Sequence, residues 1–364
     1  MAYTMLGLSI VLPTFNERDN IGVLFNEIRS KVKVDSYEIL VVDDNSPDGT
    51  WVEALEYIDE SDVVVRRINM KGLSSAIIDG MLFSLGRYVV VMDADLQHPP
   101  EVINTMFEKL REDDYDVVIG SRYVPGGGVE GWSRTRLVIS KGATLIAKLL
   151  LPYARKVSDP MSGFFMVKKD LIVMNRGRLN PLGFKILLEI LERCGPSKVV
   201  EVPYTFRSRL YGKSKLKTST ILEFVIHVLK LSRWRPFKFV IVGLSGVIVN
   251  LGTLWLISTL YPLFTNTLFV IGSAIAIEIS ILWNFILHEI WTFSDRRVGS
   301  FVKRLAMFHL AVSPGVVAQY LVAVLTRYGL YLNPLIAQLI GIAVGFPVNY
   351  VISELGVWKT YSRT

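Results

Sequence analysis

The sequence has one cysteine, Cys194, in 364 residues, which excludes an internal disulfide and fits a reduced compartment. We interpret this cysteine as a small buried side chain. The chain also lacks the pattern of a cleavable signal peptide. Its first apolar run, residues 6–12, is too short for one and leads into Pro-Thr-Phe-Asn-Glu instead of a cleavage site with small residues.

Charged residues are almost absent from four long segments in the last third of the chain. Each segment has about the ~20 residues that a helix needs to cross a bilayer, and Glu278 is their only carboxylate. A large buried helical domain is disfavoured, because so few charges interrupt segments of this length. We therefore predict an all-α, four-helix transmembrane domain over residues 233–364, with spans at residues 239–260, 267–286, 305–326 and 334–352.

Lys and Arg are unevenly shared among the segments that flank the predicted spans. The loop between the first and second spans has neither residue, and the loop between the third and fourth has only Arg327. The other flanking segments carry Arg233, Arg235, Lys238, Arg296, Arg297, Lys303, Arg304, Lys359 and Arg363. By the positive-inside rule, both termini and the N-terminal domain of this multi-pass protein face the cytoplasm. The net charge of +7 suits an anionic lipid bilayer or phosphate ligands, and we expect no nucleic acid partner.

The first 232 residues alternate short apolar runs with amphipathic segments. The runs at residues 8–12, 38–42, 63–66, 88–92 and 117–119 predict strands, and residues 20–32 and 100–112 predict helices. Because the runs are apolar throughout, helices should cover both faces of the sheet. The pattern predicts a doubly wound α/β catalytic domain over residues 1–232, with ligands bound beyond the carboxyl ends of the strands.

Two carboxylates, Asp93 and Asp95, directly follow the apolar run of residues 88–92. Beyond a strand end, such a pair can bind a hard divalent cation such as Mg²⁺ or Mn²⁺ together with a diphosphate. The cation would neutralise charge on a leaving nucleoside diphosphate, and Gln97 or His98 could add a ligand. A polar turn with solvated carboxylates is the alternative, but the position after a buried strand favours a metal site.

Polar side chains also follow the first two predicted strands, in residues 13–17 (PTFNE) and 41–46 (VVDDNS). Carboxylates there can accept hydrogen bonds from a nucleobase edge or from ribose hydroxyls. Each segment alone could be ordinary turn and helix-capping chemistry. Their order along the chain with Asp-Ala-Asp favours a nucleotide site.

Together these motifs resemble a known family. PTFNE, VVDDNSPDGT, DADLQHPPE and GSRY, in this order and spacing, resemble the inverting family-2 glycosyltransferases of the GT-A fold, and most closely the dolichyl-phosphate mannose synthases. The resemblance covers roughly residues 6–232 and extends to DPMSGFF at residues 159–165 and RSRLYGKSK at residues 207–215. Residues 283–293, WNFILHEIWTF, resemble the GtrA-like four-helix domain that is fused to some of these synthases.

The resemblance implies a GT-A (Rossmann-like) catalytic domain and assigns roles to individual residues. The implied nucleotide-binding residues, with guanosine as the nucleoside, are Pro13, Glu17, Asp44, Lys71 and Asp93. The implied ligands of the metal and the diphosphate are Asp93, Asp95 and Gln97.

A lipid phosphate acceptor needs cations to hold it, and planar Arg forks suit phosphate oxygens. The candidates are Arg122, Arg134, Arg136, Arg207, Arg209, Lys213 and Lys215, with Ser140 as a hydroxyl donor. From these we predict an acceptor-phosphate site at Arg136, Ser140, Arg207 and Lys213, and a catalytic set of Asp93, Asp95 and Arg122. Any one cation could be a solvated surface charge, but the cluster favours a phosphate. Because a phosphate monoester is largely dianionic near neutral pH, it needs no general base, and positioning and electrostatics should carry catalysis.

Three features leave alternatives open. Gly126–Gly128 is either a passive loop or the hinge of a lid over the donor. The amphipathic stretches 136–151 and 216–231 are either core helices or helices in the membrane interface. Glu278 is costly inside a bilayer and should either pair with His288 or His309 or hold two helices together.

The leading hypothesis is a metal-dependent, inverting transfer of mannose from GDP-mannose to dolichyl (polyprenyl) phosphate, which yields a lipid-linked sugar donor. A transferase that uses UDP-glucose with the same acceptor is the alternative. A processive polysaccharide synthase is disfavoured, because KLSRW at residues 230–234 lacks the Gln of the QxxRW element. A flippase with a degenerate sugar-binding domain is disfavoured as well, because the acidic and basic motifs are intact.

Overall fold

The computed structural model describes residues 6–180, 185–208, 218–261, 269–295, 297 and 299–352. The predicted acceptor residue Lys213 lies outside these ranges, as do Arg209, Lys215, Arg296, Lys359 and Arg363. The chain divides into two compact units, the first ending at Leu231 and the second beginning at Ser232.

A mixed sheet of seven strands forms the centre of the first unit. Its strands are β1 (Leu8–Thr14), β2 (Tyr37–Asp43), β3 (Val63–Arg66), β4 (Tyr88–Val91), β5 (Val117–Ser121), β7 (Phe165–Lys168) and β8 (Val199–Pro203), in the order β3-β2-β1-β4-β7-β5-β8. A separate two-stranded sheet pairs β6 (Gly128–Val129) in parallel with β9 (Thr205–Phe206). The chain crosses repeatedly from one face of the large sheet to the other, which gives the predicted Rossmann-like architecture.

Helices cover the large sheet because its strands are apolar on both faces. Residues such as Ile10, Leu12 and Val41 belong to one buried cluster, whereas Val11, Val42 and other residues belong to a second cluster. The helices of this unit are α1 (Arg18–Lys31), α2 (Thr50–Ala54), α3 (Leu73–Phe83), α4 (Val102–Glu112), α5 (Arg134–Leu150), α6 (Lys169–Asn175), α7 (Ile186–Glu189) and α8 (Thr218–Leu231).

All five predicted strands are confirmed, and the sheet adds two strands that the apolar runs did not predict. The first is β7, which lies between β4 and β5 and runs antiparallel to both. The second is β8, which pairs in parallel with β5 at the edge of the sheet. Val199 and Val200 on β8 are only partly buried, so this strand lacks the continuous apolar run on which the prediction depended.

Helices α5 and α8, which include the two predicted amphipathic stretches, have both a buried and an exposed apolar face. Their buried face contributes Ala147, Phe224 and Val228 to a cluster with Met161 and Leu188. On the other face, Val138 of α5 is 69% exposed and Leu222 of α8 is 62% exposed. The helices are therefore part of the packed unit and also present apolar side chains outward.

The second unit consists of helices α9 (Arg235–Leu260), α10 (Phe269–Leu287), α11 (Phe301–Gly329) and α12 (Pro334–Ile352). A π-helical turn, His288–Thr292, continues α10. Three helices in the described ranges are long and apolar enough to cross a membrane, namely Arg235–Leu260, Phe269–Thr292 and Phe301–Gly329. A shorter apolar stretch, Pro334–Gly345, occupies the fourth predicted span.

Glu278 pairs with His309, one of its two predicted partners. The His309 Nε2 atom lies 3.0 Å from Glu278 Oε1. The other predicted partner, His288, stacks on Phe239 with ring centroids 4.3 Å apart, and its Nδ1 atom lies 3.0 Å from Thr292 Oγ1. The predicted pairing of Glu278 with His288 is therefore wrong, because the ring of His288 is packed into the aromatic cluster of the helical unit.

The two helical hairpins of the second unit repeat one packing contact. In the α9–α10 hairpin, Gly246 lies against Asn284, and a Cβ atom at Gly246 would come within 2.7 Å of Asn284 Cγ. In the α11–α12 hairpin, Gly315 lies against Asn349, and a Cβ atom there would come within 2.6 Å of Asn349 Cγ. Small residues at helix interfaces let backbones approach closely, which is a common basis of helix association in membranes.

We predict that Gly246→Ala and Gly315→Ala lower the stability of the protein, although alanine favours helix formation by about 1 kcal/mol over glycine. The added methyl would overlap the Asn side chain, and such overpacking typically costs about 1–3 kcal/mol. The midpoint of thermal unfolding in detergent measures the effect. Gly252→Ala is the matched control, because it lies on α9 with nothing within 4 Å of a new Cβ atom. If Gly246→Ala unfolds at or above the temperature of the control, the contact does not constrain the hairpin.

Candidate active site

Three loops at the carboxyl ends of adjacent strands build one side of the site. Each loop contains a residue in the left-handed region: Asn16 after β1 (φ 59°), Asn45 after β2 (φ 55°) and Leu96 after β4 (φ 61°). Asn adopts this conformation readily, whereas Leu does so rarely. The backbone at Leu96 is thus held in an unfavourable turn between Asp95 and Gln97, as is common at functional sites.

A cavity of about 220 Å³ opens at these loops, and we call it the nucleotide cavity. Its lining includes the predicted residues Pro13, Glu17, Asp44, Asp93 and Asp95. The structure therefore brings together residues that lie on three separate loops of the sequence. Their assembly follows from the strand order β2-β1-β4, which places the three loops side by side.

Lys71, the remaining predicted nucleotide residue, does not line this cavity. Its ammonium lies 5.6 Å from the ring centroid of Phe15, which is a lining residue. A cation at this distance from an aromatic face is weakly attracted to it. Lys71 therefore lies near the nucleotide cavity, beside its lining residue Phe15.

A buried arginine that the sequence analysis missed holds Asp44. Arg67 Nη1 donates to Asp44 Oδ1 at 2.5 Å, and the backbone N–H of Gly72 donates to Asp44 Oδ2 at 2.7 Å. Arg67 also donates to Ser75 Oγ at 2.7 Å and forms an ion pair with Asp79. Only 7% of Arg67 is exposed, so this network fixes the carboxylate at one end of the nucleotide cavity. No sequence motif contains Arg67, which is why spacing did not point to it.

The loop of Asp93 and Asp95 is fixed by its own hydrogen bonds. The backbone N–H of Asp93 donates to His98 Nδ1 at 3.0 Å, and the backbone N–H of Gln97 donates to Asp95 Oδ1 at 3.2 Å. The Gln97 side chain donates to the carbonyl oxygen of Arg207 at 2.8 Å. These bonds fix the backbone at Asp93 and one carboxylate oxygen of Asp95.

His98 has a structural role in this loop. Its ring stacks on Phe164 with centroids 5.1 Å apart, and burial lowers the pKa of His98 to about 4. The neutral ring accepts the Asp93 N–H through Nδ1. The expectation that His98 could ligate a metal is not supported by this position, because the ring packs among aromatic side chains.

The carboxylates of Asp93 and Asp95 fit a divalent cation. Both line the nucleotide cavity and also a second, larger cavity, so an ion between them would be accessible to ligands from either side. Within the described ranges, no group of three or more His, Cys, Asp or Glu side chains could hold a metal. The remaining oxygen ligands would therefore come from the Gln97 amide, the diphosphate and water, a donor set that suits Mg²⁺ or Mn²⁺.

The second cavity has a volume of about 440 Å³, and we call it the acceptor-side cavity. Its charged and polar lining consists of Asp93, Asp95, Gln97, His98, Arg122, Arg136, Ser140 and Lys185. An apolar wall from α5 and α8 includes Ile139, Ile146, Ile221, Phe224 and Val225. The cavity therefore combines charged and apolar side chains within a single space.

Arg122 belongs to a buried ion pair at this cavity. Its Nε and Nη2 atoms donate to the two carboxylate oxygens of Asp159 at 2.7 and 2.8 Å, and its backbone N–H also donates to Asp159. Glu201 accepts the backbone N–H groups of Ser158 and Asp159 at 2.6 and 2.9 Å. The carboxylate partner raises the pKa of Arg122, so the guanidinium stays charged despite its burial.

The predicted acceptor residues are only partly brought together. Arg136 and Ser140 lie on α5 and line the acceptor-side cavity. The Arg136 guanidinium stacks on Trp132, 4.3 Å from the centroid of its ring. The Ser140 hydroxyl oxygen lies 2.8 Å from the Tyr123 hydroxyl oxygen. Arg207 does not line the cavity. Its guanidinium instead donates to Glu101 at 2.5 Å and to Glu27 at 3.4 Å.

The glycine-rich loop is tied to the rest of the unit. Gly128 and Val129 form β6 and pair with β9, and a Cβ atom at Gly127 would come within 2.6 Å of the Ser121 carbonyl oxygen. Gly126 has φ 88°, which favours glycine. The glycines thus permit a close backbone approach, and movement of this loop as a lid stays a prediction.

Lys185 is a further cation in the acceptor-side cavity that the sequence analysis missed. It directly precedes α7, and burial lowers its pKa to about 8. Nearby Arg122 and Arg136 lower that pKa further, whereas Asp93 and Asp159 raise it. A lone lysine without a motif gives no sequence signal, so only the fold reveals its position.

Comparison with known proteins gives matches to both parts of the chain. Residues 9–173 match the family model "Glycosyl transferase family 2", and residues 238–358 match "GtrA/DPMS, transmembrane domain". A dolichol-phosphate mannosyltransferase of Pyrococcus furiosus is 47% identical over 359 residues, which cover 97% of this chain and 99% of the relative. The dolichol-phosphate mannosyltransferase of Saccharomyces cerevisiae is 37% identical over 265 residues, which cover 70% of this chain and 94% of the relative.

Solved structures give weaker matches. Mannosyl-3-phosphoglycerate synthase from Rubrobacter xylanophilus aligns with 62% of this chain and 73% of its own, at a TM-score of 0.46 and 20% identity. Glucosyl-3-phosphoglycerate synthase from Mycobacterium tuberculosis aligns with 62% of this chain and 80% of its own, at a TM-score of 0.47 and 20% identity.

The buried pair of Arg122 and Asp159 yields a prediction about stability. Asp159→Ala leaves a buried guanidinium without its counter-charge, which should lower the free energy of unfolding by about 3–5 kcal/mol. The double variant Arg122→Met/Asp159→Ala should be less destabilised than Asp159→Ala alone, because neither charge remains. Thermal unfolding of the full chain in detergent measures both. If the free energy of unfolding falls in the double variant by the sum of the losses in the two single variants, the two groups do not interact.

Proposed function

The chain belongs to the dolichol-phosphate mannosyltransferase family of glycosyltransferases, and on that premise we propose that it transfers mannose from GDP-mannose to dolichyl or another polyprenyl phosphate. The proposed products are GDP and a polyprenyl phosphate mannose, a lipid-linked donor for later glycosylation. The observation that carries the proposal is the acceptor-side cavity, which is lined both by charged side chains and by the apolar wall from α5 and α8. A polyprenyl phosphate has the matching chemistry, because a doubly charged headgroup is joined directly to an apolar chain.

The lining of the nucleotide cavity supports a guanine nucleotide as the donor. Carboxylates accept hydrogen bonds and cannot donate them when ionised. Glu17 and Asp44 both line this cavity, and Asp44 is fixed by Arg67 and Gly72. Guanine presents two adjacent N–H donors on one edge, whereas uracil presents one N–H between two carbonyl acceptors. The carboxylates of Glu17 and Asp44 therefore favour GDP-mannose over the alternative donor, UDP-glucose.

We propose a single displacement with inversion at the anomeric carbon. A phosphate oxygen of the acceptor attacks that carbon, its bond to the diphosphate oxygen breaks, and the electron pair leaves with GDP. Asp93 and Asp95 line both cavities, so donor and acceptor can approach the reacting carbon from opposite sides. This arrangement suits an in-line attack and lowers the barrier by positioning the reactants.

The residues have distinct tasks in this reaction. Asp93, Asp95 and the Gln97 amide oxygen would hold a divalent cation, which when bound neutralises charge on the leaving diphosphate. Arg136 and Ser140 would bind the acceptor phosphate, while Arg122 and Asp159 keep the end of β5 in place beside it. No general base is required, because a phosphate monoester has a second pKa of about 6 and is already nucleophilic near neutral pH.

We assign the chemistry to residues 1–232 and membrane anchoring to residues 233–364. The nucleotide cavity, with Asp93 and Asp95 in its lining, is built entirely from residues of the first unit. The exposed apolar faces of α5 and α8 suit a position in the membrane interface, where the phosphate of a lipid acceptor lies. The second unit supplies apolar helices that can cross the bilayer.

The donor and the metal can be tested together with the full-length protein. With a polyprenyl phosphate present, we expect release of GDP from GDP-mannose at least tenfold faster than release of UDP from UDP-glucose, and loss of turnover on chelation of divalent cations. Faster use of UDP-glucose would establish the alternative donor.

Asp95→Asn should lower kcat by roughly a hundredfold or more, since a metal-ligating charge is lost while Oδ1 can still accept the Gln97 N–H. Asp113→Asn, on the exposed end of α4, is the matched control and should retain activity.

The distribution of Lys and Arg supports a cytoplasmic position for both termini and for the first unit. We therefore expect protease added to inside-out vesicles to digest the first unit, while the same protease leaves it intact in sealed right-side-out vesicles. Immunoblotting with an antibody against the first unit measures the protection. Digestion in right-side-out vesicles only would reverse the proposed orientation.

A further inference from the structure

We propose that Lys185 binds the phosphate of the lipid acceptor and positions it for attack; this inference rests on the proposed function. Lys185 lines the acceptor-side cavity together with Arg136 and Ser140. It belongs to none of the sequence motifs described above, and the fold alone brings it to this cavity.

The backbone that carries Lys185 is held firmly. Its carbonyl oxygen accepts the backbone N–H of Leu188 at 3.1 Å, and α7 begins at the next residue. Glu189, at the end of α7, lies 3.0 Å from His227 Nε2 of α8, and Leu188 packs into the cluster with Phe224. Because α8 also supplies part of the apolar wall, the position of Lys185 is tied to the wall that would receive the lipid chain.

The two cavities distinguish the acceptor phosphate from the donor diphosphate as the ligand of Lys185. Asp93 and Asp95 line both cavities, but Lys185 lines only the acceptor-side cavity. The nucleotide diphosphate would bind at the carboxylate pair from the nucleotide cavity. Lys185 therefore lies on the side from which the nucleophile arrives.

The charges in the cavity also favour a dianionic ligand. Arg122 and Asp159 neutralise each other through two direct hydrogen bonds. A divalent cation at Asp93 and Asp95 would neutralise those two carboxylates in the same way. With Arg136 and Lys185 also in the lining, the formal charge at the cavity is positive overall, which favours the two negative charges of a phosphate monoester.

The test compares Lys185→Met, Lys185→Gln and Lys185→Arg with the wild type in the full-length protein. Binding of a short-chain polyprenyl phosphate is measured by calorimetry in detergent, with the corresponding polyprenol as a ligand that lacks the phosphate. We expect Lys185→Met and Lys185→Gln to weaken binding of the phosphate by about 10- to 100-fold, the effect of losing one charge-assisted hydrogen bond. Binding of the polyprenol should not change, and Lys185→Arg should retain most of the affinity for the phosphate.

Steady-state kinetics separate this role from a structural one. We expect the KM for polyprenyl phosphate to rise while the KM for GDP-mannose stays within about twofold of the wild type. Lys198→Met is the matched control, because this exposed lysine at the start of β8 lies outside both cavities. Equal loss of donor and acceptor affinity, or unchanged phosphate binding in Lys185→Gln, would overturn the assignment. Failure of the wild type to bind any polyprenyl phosphate would instead refute the proposed function.

Discussion

The buried ion pair of Arg122 and Asp159 is the contact on which the acceptor side of the active site depends. Arg122 follows β5, whereas Asp159 lies in the loop that leads into β7, and Glu201 on β8 holds that loop through two backbone N–H groups. Three neighbouring strands are thus joined at one end of the sheet. Burying two charges is costly, and the cost is offset only when both are well paired and hydrogen-bonded, as they are here. The antiparallel strand β7 makes this possible, because it brings the Asp159 loop back to the end of the sheet where β5 ends.

A second constraint follows from the proposed reaction, in which a water-soluble donor and a lipid acceptor must meet at one carbon atom. Two cavities that share Asp93 and Asp95 would allow this meeting. The nucleotide cavity is built from loops after parallel strands, as in other α/β folds. The acceptor-side cavity is instead closed by α5 and α8, whose amphipathic character gives it an apolar wall. One helix pair therefore both packs on the catalytic unit and presents apolar side chains outward.

Features that depend on neighbouring residues were predictable from the sequence, whereas features that depend on distant residues were not. The five predicted strands and the position of Asp93 and Asp95 directly after β4 belong to the first kind, because apolar runs and the residues that follow them are local features. β7 was not predictable, since its position depends on pairing with strands that are distant in sequence. Arg207 and Lys185 show the same limit for side chains. Arg207 stands in a basic motif but pairs with Glu101 and Glu27, whereas Lys185 has no motif and lines the cavity.

The polar groups of the membrane unit are best explained by helix packing. In the second unit, Gln338 donates to Asn250 at 2.9 Å and accepts from Ser273 at 2.8 Å, which links three helices through buried side chains. Helices in lipid gain little from the hydrophobic effect when they associate, so hydrogen bonds and close contacts at small residues decide which faces meet. Each polar residue in this network bonds to a residue on another helix of the same unit. Such bonds between helices give the second unit a defined structure although its predicted spans contain almost no charged residues.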